Sequence, residues 1–349
     1  MVGPVAALRE RGVLAALAAA LLFGAAAPAA KVLLDGIEPW LLAGLLYAGA
    51  GIGLLIWRRV RRAPAVRLEP GDGRWLAGAI VAGGVAAPVL LMAGLSAMPA
   101  SGASLLLNAE SVFTALLAWV VFRENVDRRV AAGMAVIAAG AVVLSWPGAG
   151  PGFGSVWPSS AVLASCVLWA VDNNLARRVS YADATWLAMV KGLVAGSVNL
   201  VLALAVRGEE LAEPGMVAAA LLTGFLAYGV SLSLFVYGLR SLGTARTGAY
   251  FSVAPFFGAV MAVALLGEEV TGQLLVAGAL MAFGVWLHLT ERHQHAHRHE
   301  GLVHAHPSDP GDPHHAGAEP QPGDPLRHRH PPARHEHAHY PDLHHRHPH

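Results

Sequence analysis

Charge is scarce in this sequence: 13% of its 349 residues are Asp, Glu, Lys or Arg, about half the ~25% share of a soluble domain. An ordinary water-soluble enzyme is excluded on that ground. Cysteine is almost missing, and the single thiol, Cys166, allows neither a disulfide framework nor a thiolate metal or redox cluster. No histidine precedes His288, so imidazole chemistry is confined to the C-terminal end. The apolar part also lacks a phosphate-cradling Walker sequence, a Gly-rich nucleotide turn after a strand, and a nucleophile beside a base. Neither ATP hydrolysis nor other catalysis is indicated, no resident cofactor is required, and no nucleic-acid partner is expected.

What is there is apolar. Hydrophobic residues make up 55% of the chain, enough for many uninterrupted stretches of the ~20 residues that cross a ~30 Å hydrocarbon core. Ten such stretches are predicted, near 12–34, 39–57, 75–97, 100–122, 129–146, 156–177, 184–206, 215–239, 246–266 and 272–290. An all-α polytopic membrane protein follows, with the bilayer as its obligatory partner. The spans are rich in Ala, Gly, Leu and Val, and small residues let helix backbones approach where lipid supplies no hydrophobic drive for association. Arg9 and Arg11 before an Ala/Leu run resemble a signal peptide, but the run continues through Leu34, longer than a typical signal core.

Basic residues alternate between loops. With the N-terminus inside, Arg9, Arg11, Arg58, Arg59, Arg61, Arg62, Arg67, Arg74, Arg123, Arg128, Arg129, Arg177, Arg178, Arg240, Arg246 and Arg292 all fall on the cytoplasmic side. The other side receives Arg207 and Lys31 among Asp35, Glu38, Glu209, Glu210, Glu213, Glu268 and Glu269. The positive-inside rule therefore predicts cytoplasmic N- and C-termini in a cell membrane.

A shift of 144 residues superposes the fourth span on the ninth: Gly94 meets Gly238, Phe113 meets Phe257, Glu124 meets Glu268 and, further on, Gly140 meets Gly284. Two five-helix halves, 12–146 and 156–290, are expected. Since five is odd, the second enters the membrane with opposite polarity, as an inverted-topology repeat. These features, together with the small-residue helices closing on FREN (122–125) and LGEE (266–269) and with Pro255, resemble the EamA-type members of the drug/metabolite transporter superfamily. The resemblance covers about 12–290. It implies a ten-helix bundle that moves small metabolites by alternating access through a central cavity, as an exporter. The first copy departs from the pattern, with Glu110-Ser111 at the place of Ala254-Pro255, which puts a proline hinge there in doubt.

Charges at mid-membrane depth are costly and so point to a pathway. Glu110 lies about ten residues into the fourth span and Lys191 about seven into the seventh. Glu110 is read as a site for a proton or a cationic substrate group, and Lys191 as a site for an anionic group or a partner of Glu110. A purely structural ion pair is the competing account. In the sixth span Trp169, Asp172 and Asn173 share a helix face at i, i+3 and i+4, an arrangement suited to an amine or a hydrated cation. Alternatively Asp172 pairs with Arg177 or Arg178 to close the helix end. Asn199 lies two turns beyond Lys191 and either lines the same passage or joins neighbouring helices. Pro28, Pro88 and Pro255 free backbone carbonyls inside spans, and Tyr250 and Ser252 add hydroxyls near the last of them.

From residue 291 the chain is a His- and Pro-rich tail that cannot form a packed core and is expected to be disordered. Its His-x-His runs, including His293, His295, His297 and His299, then His335, His337, His339, His344, His345 and His347, suit Zn, Ni or Co ions. The leading expectation is a secondary transporter of a small polar or amphipathic metabolite. The rivals are a divalent transition-metal transporter and a membrane-anchored metal-binding or sensing protein that works through the tail.

Overall fold

The computed structural model describes residues 4–122, 128–146, 155–179, 181–242 and 244–289 of a helical body, with short stretches beyond residue 293. Ten helical columns run through the body: α1 (Arg11–Leu33), α2 (Pro39–Val60), α3 (Gly73–Ser96), α4 (Ala100–Val121), α5 (Arg128–Ser145), α6 (Val156–Ala176), α7 (Ala184–Val206), α8 (Pro214–Leu242), α9 (Arg246–Leu266) and α10 (Gly272–Leu289). Among the described residues, nine are long and apolar enough to cross a membrane. The tenth, α6, matches them in length but carries Asp172, Asn173 and Asn174. Polarity is concentrated in that helix.

Local sequence sets the ends. Proline opens α2 at Pro39 and α8 at Pro214, where its missing N–H costs nothing. Ser155 and Asp183 accept from the Trp157 and Trp186 amides to cap α6 and α7. Gly267 ends α9 at φ 68°, the left-handed conformation that glycine adopts without penalty.

Packing partners obey one exchange, n with n+5. Helix α2 packs on α7, α5 on α10 and α4 on α9; α1 packs on α8 as α3 does on α6, and α1 on α9 as α6 does on α4. The mates run antiparallel. Gly44 abuts Leu200 while Gly51 abuts Gly192, and Gly133 abuts Gly284 while Gly140 abuts Ala277. A side chain at Gly140 or Gly284 would drive into the facing helix, so this repeated pair keeps the α5–α10 seam closed.

The repeat extends to its irregularities. Helix α3 widens to a π turn over Ile80–Ala86, and α8 over Phe225–Val230. Helix α4 breaks at Leu107 and Asn108, and α9 breaks 145 residues later, within one residue of the repeat, at Ser252 and Val253. The second break has Pro255 just behind it, whereas the first has none: Asn108 turns its side-chain amide onto the Leu105 carbonyl at 2.9 Å. Competition from a short polar side chain thus does in one copy what proline does in the other. Helix α1 is also interrupted, at Ala25, three residues before Pro28.

The second unit, 290–349, contains short strands. Gln294–His299 pairs antiparallel with Ala333–Ala338, and Leu302–Ala305, Asp324–His330 and Glu319–Gln321 form a three-stranded ribbon. The FREN segment at 123–125 and the side chains of the tail histidines lie outside the described residues.

Candidate functional site

The breaks converge. Phe23, Gly24, Ala26 and Ala27 around the α1 interruption, Leu91 and Met92 of α3, Ser104 and Leu107 at the α4 break, Trp169 of α6, Tyr228 in the α8 π turn and Pro255 of α9 surround a narrow cavity of about 20 Å³. Its wall is apolar and aromatic: Phe23 meets Tyr228 edge-on at 5.9 Å and Phe251 at 5.3 Å, and Tyr47 lies 5.8 Å from Tyr228. One polar atom in it is unsatisfied, the buried Ser104 Oγ. The lining, apolar with few polar groups, is of the kind that receives a small amphipathic ligand, while the space itself holds no more than one or two waters until the helices part.

Trp169, which lines the cavity, is held from behind by carbonyls that Pro88 releases. Proline cannot donate to the residue four before it and its ring displaces that carbonyl, so α3 opens into the wide turn ahead of it. The freed groups are all used. Gly84 and Val85 carbonyls accept from Asn199 Nδ2 at 3.3 Å each, and the Gly83 carbonyl accepts from Tyr47 OH at 2.8 Å and Trp169 Nε1 at 2.9 Å. Trp169 is thereby locked in place.

One helical turn beyond Trp169 on α6 lies the charge. Lys191 donates to Asp172 Oδ2, and Asp172 is 3% exposed with its other oxygen, Oδ1, unpartnered. Glycine at 83 makes room for that carboxylate: a Cβ there would lie 2.0 Å from Asp172 Oδ2. Beside this pair, Glu110 Oε1 accepts from Asn173 Nδ2 at 2.8 Å, and the same amide reaches Thr114 Oγ1 at 3.3 Å. Asn174 ties α6 to the Thr114 carbonyl. Two carboxylates, one amine and two amides thus cluster about one helical turn from Trp169 and the cavity it lines, each acid with a different partner.

The sequence profile of the EamA-like transporter family matches residues 10–146 and again 156–290. This chain belongs to the EamA-like transporter family. It is a polytopic cell-membrane transporter of the drug/metabolite superfamily, and the family is one of carriers, not enzymes. Among its relatives, an uncharacterized transporter of Methanothermobacter thermautotrophicus is 27% identical over 295 residues, 79% of this chain and 85% of that one. A probable terminal-alkyne amino-acid exporter of Streptantibioticus cattleyicolor is 31% identical over 204 residues, 57% of this chain and 67% of that one. The inner membrane transporter YedA of Escherichia coli K12 is 24% identical over 258 residues, 72% and 83% of the two chains. A crystal structure 20% identical superposes with a TM-score of 0.58 over 79% of this chain and 95% of its own, a likeness of fold.

Within this EamA-like bundle the candidate residues separate into groups. Glu110, Trp169, Asp172, Asn173 and Lys191 come together. Lys191 pairs with Asp172 in place of Glu110, and Asp172 takes Lys191 in place of Arg177 or Arg178, because α7 presents its amine directly to the α6 face. Asn199, fully buried, spends its amide on the α3 carbonyls and its oxygen on Trp40 Nε1 at 3.2 Å, so it braces helices away from the cavity. Ser252 donates to Ala249 within its own helix, and Tyr250 is not among the cavity-lining residues. Tyr47, Thr114, Ser104 and Tyr228 were not singled out from sequence. A lone hydroxyl in an apolar span was the available signal, and Thr114 is also four residues from Glu110.

At the arginine-rich end, buried Arg58 donates to Asp183 Oδ1 at 2.5 Å, Thr185 Oγ1 at 2.8 Å and the Pro64 carbonyl at 2.9 Å, tying the α2–α3 loop to the start of α7. Burial pushes the Asp183 carboxyl up, but hydrogen bonds from Thr185, the Trp186 amide and Arg58 outweigh it, and the group lies below its ordinary value. Stability from this site is therefore present above the ordinary carboxylate range and is lost as pH falls through the lowered value. Asp183→Ala is expected to cost about 1–2 kcal/mol at pH 7, the scale of a lost N-cap, and less at pH 2. Thermal unfolding of both proteins in detergent at the two pH values checks this, and an equal gap at both would overturn it.

Proposed function

We propose that this chain is a secondary exporter of a small amphipathic metabolite, working by alternating access through the central cavity, with its arginine-rich end and both termini in the cytoplasm. The observation that carries the reading is the convergence of three broken helices, α1, α4 and α9, on one cavity. Broken helices supply hinges and unpaired backbone groups where a passage runs. Glu110 and the Asp172–Lys191 pair serve as the coupling group, where a proton or a charged substrate moiety displaces an internal partner. The similarity to the Streptantibioticus amino-acid exporter makes amino acids the first class to test. Comparing metabolites in medium and cells, with and without the full chain, should show one such class enriched outside. No enrichment of any metabolite would overturn the proposal.

The tail supports a separate reading: its histidines bind Zn, Ni or Co. Cellular metal content, measured by elemental mass spectrometry, is expected to follow the tail and to fall when the chain stops before Glu291. If it changes with the full chain and instead reverts with Glu110→Gln, the bundle carries metal and the metabolite reading loses.

A further inference from the structure

The acidic end of the bundle contains a second, open recess, of about 450 Å³, lined in part by Lys31, Ser96, Met98, Ser101, Glu268 and Thr271. Two of these side chains grip the same connection. Lys31 Nζ, near the end of α1, donates to the carbonyls of Leu95 at 2.8 Å, Ser96 at 3.2 Å and Met98 at 2.9 Å, where α3 stops. Glu268, just past the left-handed Gly267, accepts from the amides of Ala100 at 2.6 Å and Ser101 at 2.8 Å, where α4 starts. A helix leaves its last carbonyls and first amides without internal partners, and these ends carry partial negative and positive charge. The cation and the anion therefore each sit on the matching helix end, on either side of residues 97–99. They belong to opposite halves of the repeat.

We propose that Lys31 and Glu268 are positioning residues for transport, a two-part latch that holds the acidic end of the passage shut. This rests on the alternating-access reading above. The geometry is one of leaf and hinge. Ala27 lines the central cavity four residues before Lys31, Met92 does so four before Ser96, and Ser104 three after Ser101. One helical turn, about 5 Å, separates recess from cavity on each of α1, α3 and α4. Both α1 and α4 break at the level of the cavity, at Ala25 and at Leu107–Asn108. Their outer segments, Ala26–Leu33 and Ala100–Leu106, are short, hinged at the cavity end and held at the far end by the latch. Releasing it opens the cavity toward the recess, because the remaining contacts there are one turn deep.

The test reads access to the cavity and needs no substrate. A Ser104→Cys reporter in a Cys166→Ala background is labelled with a membrane-impermeant methanethiosulfonate, outside intact cells and inside inverted vesicles, with Ala27→Cys as a second reporter. Lys31→Met and Glu268→Gln are each expected to raise the labelling rate at the acidic end at least tenfold and to lower it at the arginine-rich end, while Lys31→Arg restores the original rate. Unchanged rates at both reporters, or a rise from both sides together, would overturn the latch, since a merely loosened bundle admits reagent everywhere. The opposite pattern, with the gain from the cytoplasmic side, keeps the latch and overturns the proposed orientation. Absence of export with the labelling response intact would overturn the transport reading alone.

Discussion

Lys191→Met is expected to destabilise the bundle by about 3–5 kcal/mol, the cost of stripping one partner from a buried ion pair. The Asp172 side chain is only 5% exposed and its second oxygen has no partner, so nothing inside the protein takes over when the amine goes. Removing both charges, as Lys191→Met with Asp172→Leu, should restore most of the stability. An apolar pair of similar volume avoids the desolvation penalty altogether. Transport is expected to stay at least tenfold down in the double variant, and that separation distinguishes a working pair from a packing device. Thermal unfolding in detergent, read beside export of the enriched metabolite, gives both numbers. A Lys191→Met protein as stable as the parent would mean that the pair is hydrated; a double variant that transports normally would mean that it only packs.

Glu110→Gln is expected to have the complementary outcome, a loss of transport of at least tenfold with stability changed by less than about 1 kcal/mol. Glutamine keeps an oxygen where Glu110 accepts from Asn173 Nδ2 at 2.8 Å, so the α4–α6 hydrogen bond survives while the charge is gone. If the carboxylate exchanges a proton or meets a cationic group of the substrate, export by the parent depends on pH and residual export by the variant does not. Export at the parent rate over the same pH range would remove Glu110 from the mechanism. The pair of experiments assigns the two acids separately, because Asp172 has an internal cation and Glu110 has only an amide.

Much of this arrangement was legible in advance for a simple reason. In a bilayer every backbone group must be satisfied within its own segment, so hydropathy alone delimits helices, and the ten columns fall close to the ten apolar stretches. The 144-residue shift carried further than its few identities suggest, since the break after Leu106 recurs within one residue of that shift, after Phe251, although the residues there differ. Glu110, Asp172 and Lys191 could be marked because charge at that depth demands a partner. Their pairing could not. The sequence pointed Lys191 to Glu110 and Asp172 to Arg177 or Arg178, and the pairing of Lys191 with Asp172 depends on how α7 is set against α6 and on the space that Gly83 leaves in α3.

The same division applies to Asn199 and Lys31. Read along their helices, one is a polar residue in line with Lys191 and the other a cation near a span end. In three dimensions Asn199 serves carbonyls opened by Pro88, more than a hundred residues away, and Lys31 closes the end of α3. The sequence by itself determined what must be buried, which side chains cannot be left alone in hydrocarbon, and that its two halves resemble each other at a fixed shift. Those are properties of transfer from water and of period. Which carboxylate meets which amine, which carbonyls an amide finds, and where broken helices leave a cavity were decided only by tertiary structure. Partners from different helices are selected by distances of a few ångströms that no spacing along one helix encodes.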